Sequence, residues 1–205
     1  MNKNTHQPNV KYGNLISAIK SVTDLPVDEE NKLLALGKDA WLKRGELFIS
    51  EGEVPRKFAF VNKGLFRYYY VDQKGNEFTK GFFAENTFLS SYSAMVLSGQ
   101  SHFSIEALED SEIVVFNFNQ WKELLSQHIC WNQLLISVLE KAFIKKEKRE
   151  REFLLFDAEK RYTLFLQEQP DLDRRIKQNM IASYLGITNV ALSRVRKKMG
   201  LVNLG

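Results

Sequence analysis

Cysteine is nearly missing from the 205 residues, with Cys130 standing alone. An intrachain disulfide is excluded, and so is a cysteine-ligated zinc or iron–sulfur cluster. No apolar run approaches the roughly 20 residues that span a bilayer. The segment Met1 to Lys20 opens polar and has no signal-peptide core. The expectation is a cytoplasmic protein with no membrane partner. Catalytic signatures are missing as well. No Ser-His-Asp order, paired-carboxylate motif or phosphate-cradling glycine loop occurs, so the chain does not read as an enzyme. His102, His128 and Cys130 are scattered without ligand spacing, and neither a metal nor another cofactor is expected.

Two absences are local. From Arg174 to Gly205 there are seven Lys or Arg and no Asp or Glu. The whole chain has 29 basic and 25 acidic side chains, so the residues before Arg174 carry 22 against 25. A slightly acidic body with a wholly basic end suits a polyanionic partner at that end. The second absence is of Lys and Arg between Gly81 and Trp121. That segment has no cation with which to hold a buried phosphate.

Apolar residues make up 44% of the chain and charged residues 26%, which is ordinary globular composition. Met1 to Val10 reads as a loose arm. Leu15, Ile16, Ile19 and Val22 have helical spacing, Pro26 interrupts, and Asp28 to Leu36 forms a second helix ending at Gly37. From Trp41 to Phe118 short aromatic and β-branched runs alternate with turns: Leu47–Ile49, Phe58–Val61, Leu65–Val71, Phe78–Phe83, Phe103–Leu108 and Ile113–Phe118. Such spacing predicts a sandwich, barrel or jelly roll, with Asp72–Asn76 as the clearest hairpin turn. Asn119 is expected to cap a short helix through Leu125, and a long helix follows, roughly Cys130 to Phe156. Its apolar face, with Leu134, Leu135, Val138 and Phe143, gives way to a charged stretch from Lys145 to Glu152. That change suggests partial burial against a second copy, the other reading being that the helix packs on its own β domain. Trp41, Trp121 and Trp131 read as core anchors. Glu29, Glu30, Glu51 and Glu53 read as surface charge.

Gln178 to Lys197 fits a helix-turn-helix. Ile181 and Leu185 lie one turn apart on a first helix, and Ala182 is small where a second helix crosses. Gly186 supplies the tight turn, Ile187 plugs the space between the helices, and Thr188 can cap the second helix. Leu192, Val195 and Met199 make a buried stripe, which leaves Asn189, Val190, Ser193, Arg194 and Lys197 facing outward. Arg can bind guanine through two bonds, Asn can pair with adenine, and Lys and Arg neutralise phosphates. The expected DNA-contacting set is Gln178, Thr188, Asn189, Val190, Ser193, Arg194, Lys197 and Lys198.

With Ile181-Ala182-Ser183-Tyr184-Leu185-Gly186-Ile187-Thr188 and Leu192-Ser193-Arg194-Val195-Arg196 in place, the chain resembles the Crp/Fnr superfamily of bacterial transcription regulators from about Leu33 onward. The resemblance implies an α+β chain: a sensor domain over 1–128 built as a cyclic-nucleotide-binding-like jelly roll, a dimerisation helix over 129–156, and an all-α helix-turn-helix domain over 157–205. It places Asn189, Val190 and Arg194 at base-contacting positions, with Val190 where an acidic residue often stands. Few residues follow Met199, where members of the family usually carry the strands of a wing, and whether a wing follows here is left open. Nucleotide-binding members carry a Gly-Glu pair and, further on, an Arg for the cyclic phosphate. Ser90 and Ser91 fall on the pair, and Gln100 or Ser101 on the Arg. The candidate effector pocket is therefore Ser90, Ser91, Ser101 and His102, offering only neutral donors; the plainer reading, and the one favoured, is that these residues form ordinary polar turns. Arg67 and Lys80 are the nearby cations that could substitute.

The expected function is a homodimeric regulator of transcription that binds double-stranded DNA, does not respond to cyclic AMP, and takes an unknown small-molecule effector if any. Two alternatives stand beside it. One is a ligand-binding module whose C-terminal helices make protein contacts. The other is a regulator that holds a cyclic nucleotide through non-standard residues.

Overall fold

The computed structural model describes residues 10–201. The expected arm before Val10, and the residues after Leu201, lie outside them. Among the described residues no helix is long and apolar enough to cross a membrane.

The chain opens with helices α1 (Val10–Lys20) and α2 (Val27–Leu36), the latter ending at Gly37. Strands β1 (Lys38–Leu42), β2 (Leu47–Ile49), β3 (Lys57–Lys63), β4 (Phe66–Val71), β5 (Glu77–Phe83) and β6 (Phe88–Leu89) follow. After helix α3 (Tyr92–Leu97) come β7 (Ser104–Ala107) and β8 (Ser111–Asn117), then α4 (Phe118–Leu125) and α5 (Ile129–Leu155). The end of the chain is helical: α6 (Ala158–Glu168), α7 (Leu172–Arg175), α8 (Gln178–Leu185) and α9 (Asn189–Lys198). Two four-stranded sheets, in the orders β1-β8-β3-β6 and β2-β7-β4-β5, make the jelly roll. The described residues divide into two compact units. The first runs to Arg67 and resumes over Phe82–Glu140; the second takes Tyr68–Gly81 and the residues from Lys141 on.

In the first unit, alternation along β3 decides which layer each side chain enters. Phe58 pairs across with Phe116 of β8, and Phe60 with Val114. These four share a core with Leu15 and Ile19 of α1, Leu33 of α2, and Trp121 and Trp131. Ala59 and Val61, also fully buried, point the other way, between the sheets. Both faces of β3 are covered over Phe58–Val61, which is why that run is apolar without a break. The turn into β4 needs Gly64, whose φ is +122°; a Cβ there would lie 2.1 Å from Ser111 Oγ.

Several sequence expectations change. The cap of α4 is Asn117, whose side chain accepts from the amides of Asn119 and Gln120, so the helix starts one residue before the expected cap. Trp121 and Trp131 are buried and meet edge to face at 5.5 Å, but Trp41 lies on edge strand β1 and is 65% exposed. Glu29 is buried rather than superficial: it accepts from Trp131 Nε1 at 2.7 Å and pairs with Lys32 at 2.6 Å. The Lys32 contact, reinforced by the indole N–H, holds its carboxyl below the usual range. Leu134, expected at a dimer interface, is 5% exposed and belongs to its own unit's core, with Leu135 and Val138 packed against that core. The large apolar residues that α5 leaves exposed are Ile129, Ile136, Leu139, Phe143, Ile144, Phe153, Leu154 and Leu155, with Ile136, Leu139, Phe143 and Ile144 along its middle.

Candidate nucleic-acid interface and effector segment

The first half of the motif ends where Gly186 adopts φ 68°, ψ 34°. Its N–H bonds back to Ser183 O, and that of Ile187 bonds to Ala182 O at 3.0 Å. This left-handed close satisfies the last carbonyls of α8 and reverses the chain in few residues. Thr188 then caps α9, its hydroxyl accepting from the Ala191 amide at 3.1 Å. Ile181, Ala182, Leu185 and Leu192 are buried at the crossing, while Val195 and Met199 are half-buried. Asn189, Val190, Ser193, Arg194 and Lys197 stand exposed along α9, with Gln178 exposed at the start of α8 and Thr188 exposed at the cap.

The four cations at the end of α9 divide into two kinds. Arg196 donates to both oxygens of Asp173, at 2.9 and 3.1 Å, and to the Tyr162 hydroxyl. It ties α9 to α7 and α6. Tyr162 in turn donates to Asp173 at 2.9 Å, and its phenol is pushed up to about 12, first by burial and then by that carboxylate. Lys198, expected to touch phosphate, is ion-paired with Glu159 at the surface, which holds its ammonium more firmly protonated than usual. No carboxylate among the described residues pairs with Arg194 or Lys197. Periodicity separated the outward face from the inward one, but a partner 23 residues away left no local mark on Arg196.

Ser183 of α8 and Arg149 of α5 anchor the motif within the second unit. Thr79 N–H donates to Ser183 Oγ at 2.8 Å, and the Ser183 hydroxyl donates to Glu77 O. β5 ends its sheet, so Ser183 serves the edge that no strand covers. Arg149 stacks on the Tyr184 ring at 3.9 Å and donates to Tyr184 O and Thr79 O. Sequence reasoning missed both, having read Ser183 as part of a motif and Arg149 as part of a charged run.

The expected effector residues do not converge. Ser91 and Ser101 are both buried and bond to each other at 2.9 Å, and Ser101 also donates to Phe103 O at 2.7 Å. His102 is exposed, and Ser90 points into a different, apolar cavity. Short polar side chains at a turn satisfy one another instead of presenting donors to a ligand. Arg67 is buried with Glu106 as an ionic neighbour at 3.8 Å. Lys80 lies over the Tyr68 and Tyr70 rings, where burial weakens its hold on the proton.

Residues 40–128 match the cyclic nucleotide-binding domain family. No curated protein matches the chain in sequence. Solved structures do match in fold. The c-di-GMP responsive regulator CLP of Xanthomonas campestris is 13% identical over 85% of this chain and 92% of its own, with a TM-score of 0.70. FixK2 of Bradyrhizobium japonicum is 18% identical over 82% and 88%, with a TM-score of 0.68. A Crp/Fnr-family transcriptional regulator from Thermus thermophilus is 18% identical over 82% and 90%, with a TM-score of 0.64. Residues 40–128 thus match the cyclic nucleotide-binding domain family, and the chain shares its fold with solved Crp/Fnr-type regulators.

Proposed function

We propose that this protein is a homodimeric, sequence-specific DNA-binding regulator of transcription that works in the cytoplasm. The observation that carries the reading is the exposed face of α9, where Asn189, Ser193, Arg194 and Lys197 follow a capped helix start and meet no carboxylate of the described residues. Guanidinium, carboxamide and hydroxyl groups at helical spacing are the donors and acceptors that base edges require. The fold shared with known regulators supports the same reading. Ile136, Leu139 and Phe143 on α5, spaced three and four apart and exposed, support pairing with a second copy.

Arg194→Ala tests it. Affinity for a selected duplex should fall by about 1–3 kcal/mol, with preference relaxed at one base pair. Unchanged binding by a folded variant would remove α9 from the groove. If the C-terminal helices instead serve protein contact, binding to unrelated duplex DNA will lack the steep salt dependence of phosphate neutralisation.

The effector, on this reading, is not a cyclic nucleotide. A buried cyclic phosphate requires a cation or dense donors. Ser91 and Ser101 are spent on each other, and Arg67 already has Glu106 beside it.

A further inference from the structure

The geometry points to a binding site for a small uncharged apolar molecule, one aromatic ring or a short branched chain in size, on the helix-covered face of β3. This goes beyond the DNA-binding reading and stands without it.

The site is a partly open cavity of about 50 Å³. Its floor is Phe58 of β3 and Phe88 of β6, whose rings sit 6.3 Å apart and tilted. Trp121 of α4 closes one side, edge-on to Phe58 at 5.5 Å. Tyr92 and Met95 of α3 form another, and Leu135 and Val138 of α5 form the roof. Phe58 faces the helices, so the cavity lies across β3 from the space between the two sheets, which Ala59 and Val61 face.

The lining defines the chemistry of the occupant. No charged side chain lines the cavity, and its polar groups are the hydroxyls of Ser90 and Tyr92. An anion or ammonium would lose its hydration there with nothing in return. An apolar molecule gains contact with rings on several sides and removes surface from water. An apolar cavity of about 150 Å³ accepts a benzene ring, so a ring enters this smaller one only as its flexible walls move outward. Rigid rings from two strands and a helix keep the floor from collapsing, while Met95, Leu135 and Val138 can change rotamer to admit a guest. A guest would touch α3, which follows the Ser90–Ser91 segment, and the half-buried roof of α5 at once.

Three probes that share one ring separate the chemistry: toluene, benzyl alcohol and benzoate. They are titrated into the full chain by calorimetry and by Trp fluorescence, since Trp121 lines the site. Toluene and benzyl alcohol should bind saturably, with dissociation constants below about 1 mM. Benzoate should bind at least about tenfold more weakly. Val138→Phe, which fills the roof, should abolish binding of the two neutral probes. Ser90→Ala should weaken benzyl alcohol several-fold and leave toluene unchanged, a comparison that holds even if Val138→Phe fails to fold. No saturable binding of toluene, benzoate binding as tightly as benzyl alcohol, or full binding by a folded Val138→Phe variant would each overturn the proposal.

Discussion

Tyr162 shows how one side chain links stability to pH. Its phenol is buried between Asp173 and Arg196, and its pKa lies near 12 against an ordinary value of 10. A raised folded-state value means that the neutral form is favoured by folding. The contribution is complete below about pH 10 and is lost as pH rises toward 12. Urea midpoints of the full chain should fall over that window, and Tyr162→Phe should flatten part of the slope. Equal slopes in the two proteins would mean that the phenol titrates alike in folded and unfolded chains. Arg194 and Arg196 make a second comparison. Both are basic residues of α9, but Arg196 is bonded to Asp173 and Arg194 is exposed. Removing Arg196 should cost stability, whereas removing Arg194 should cost affinity alone.

The turn between α8 and α9 depends on Gly186 for two separate reasons. Its φ of +68° disfavours any L side chain, and a Cβ would lie 2.6 Å from Phe153 Cε1. Gly186→Ala should therefore lower stability by more than about 1 kcal/mol and weaken DNA binding with it, since the turn sets the entry of α9. Denaturant unfolding alongside a DNA titration checks both, and a variant as stable as the parent would show that the turn relaxes freely. Helix α5 carries two apolar faces, one buried and one exposed. Phe143, 65% exposed, belongs to the second; Leu134 belongs to the first. Phe143→Glu should shift sedimentation toward monomer with the fold retained, whereas Leu134→Glu should unfold the first unit. A Phe143→Glu protein that sediments as the parent does would remove this face from the interface.

Two copies of α9 in one assembly would read an inverted repeat whose half-sites lie about one helical turn, or a multiple of it, apart. Selection from random duplexes should recover such repeats, and single unpaired sites would argue for a monomeric reader. Residues 40–128, for their part, should be unresponsive to cyclic nucleotides. Calorimetry with cyclic AMP and cyclic GMP at millimolar concentration should give no saturable heat, because the segment from Gly81 to Trp121 has no cation and its paired serines are already satisfied. A micromolar dissociation constant accompanied by altered DNA affinity would reverse that conclusion.

Local pattern was enough for much of this molecule. The two-residue period of the strand segments, the helical period of α5, the turn glycines, and the Ala182, Gly186 and Thr188 positions all act within a few residues of themselves, so their physics is written locally. Strands β1 and β6 escaped notice because an edge strand of mixed polarity and a two-residue strand carry almost no periodic signal. The partners of the polar side chains were equally hidden. Glu29 reads as surface charge until Trp131 arrives from 102 residues away, and Ser183 reads only as one residue of a motif until the edge of β5 meets it. Which face of α5 lies inward, which of α9's cations are committed, and whether Ser90 joins Ser91 or turns into the aromatic cavity were all decided by long-range packing. Burial and hydrogen-bond satisfaction depend on what the folded chain brings near, and neighbours in sequence do not specify that.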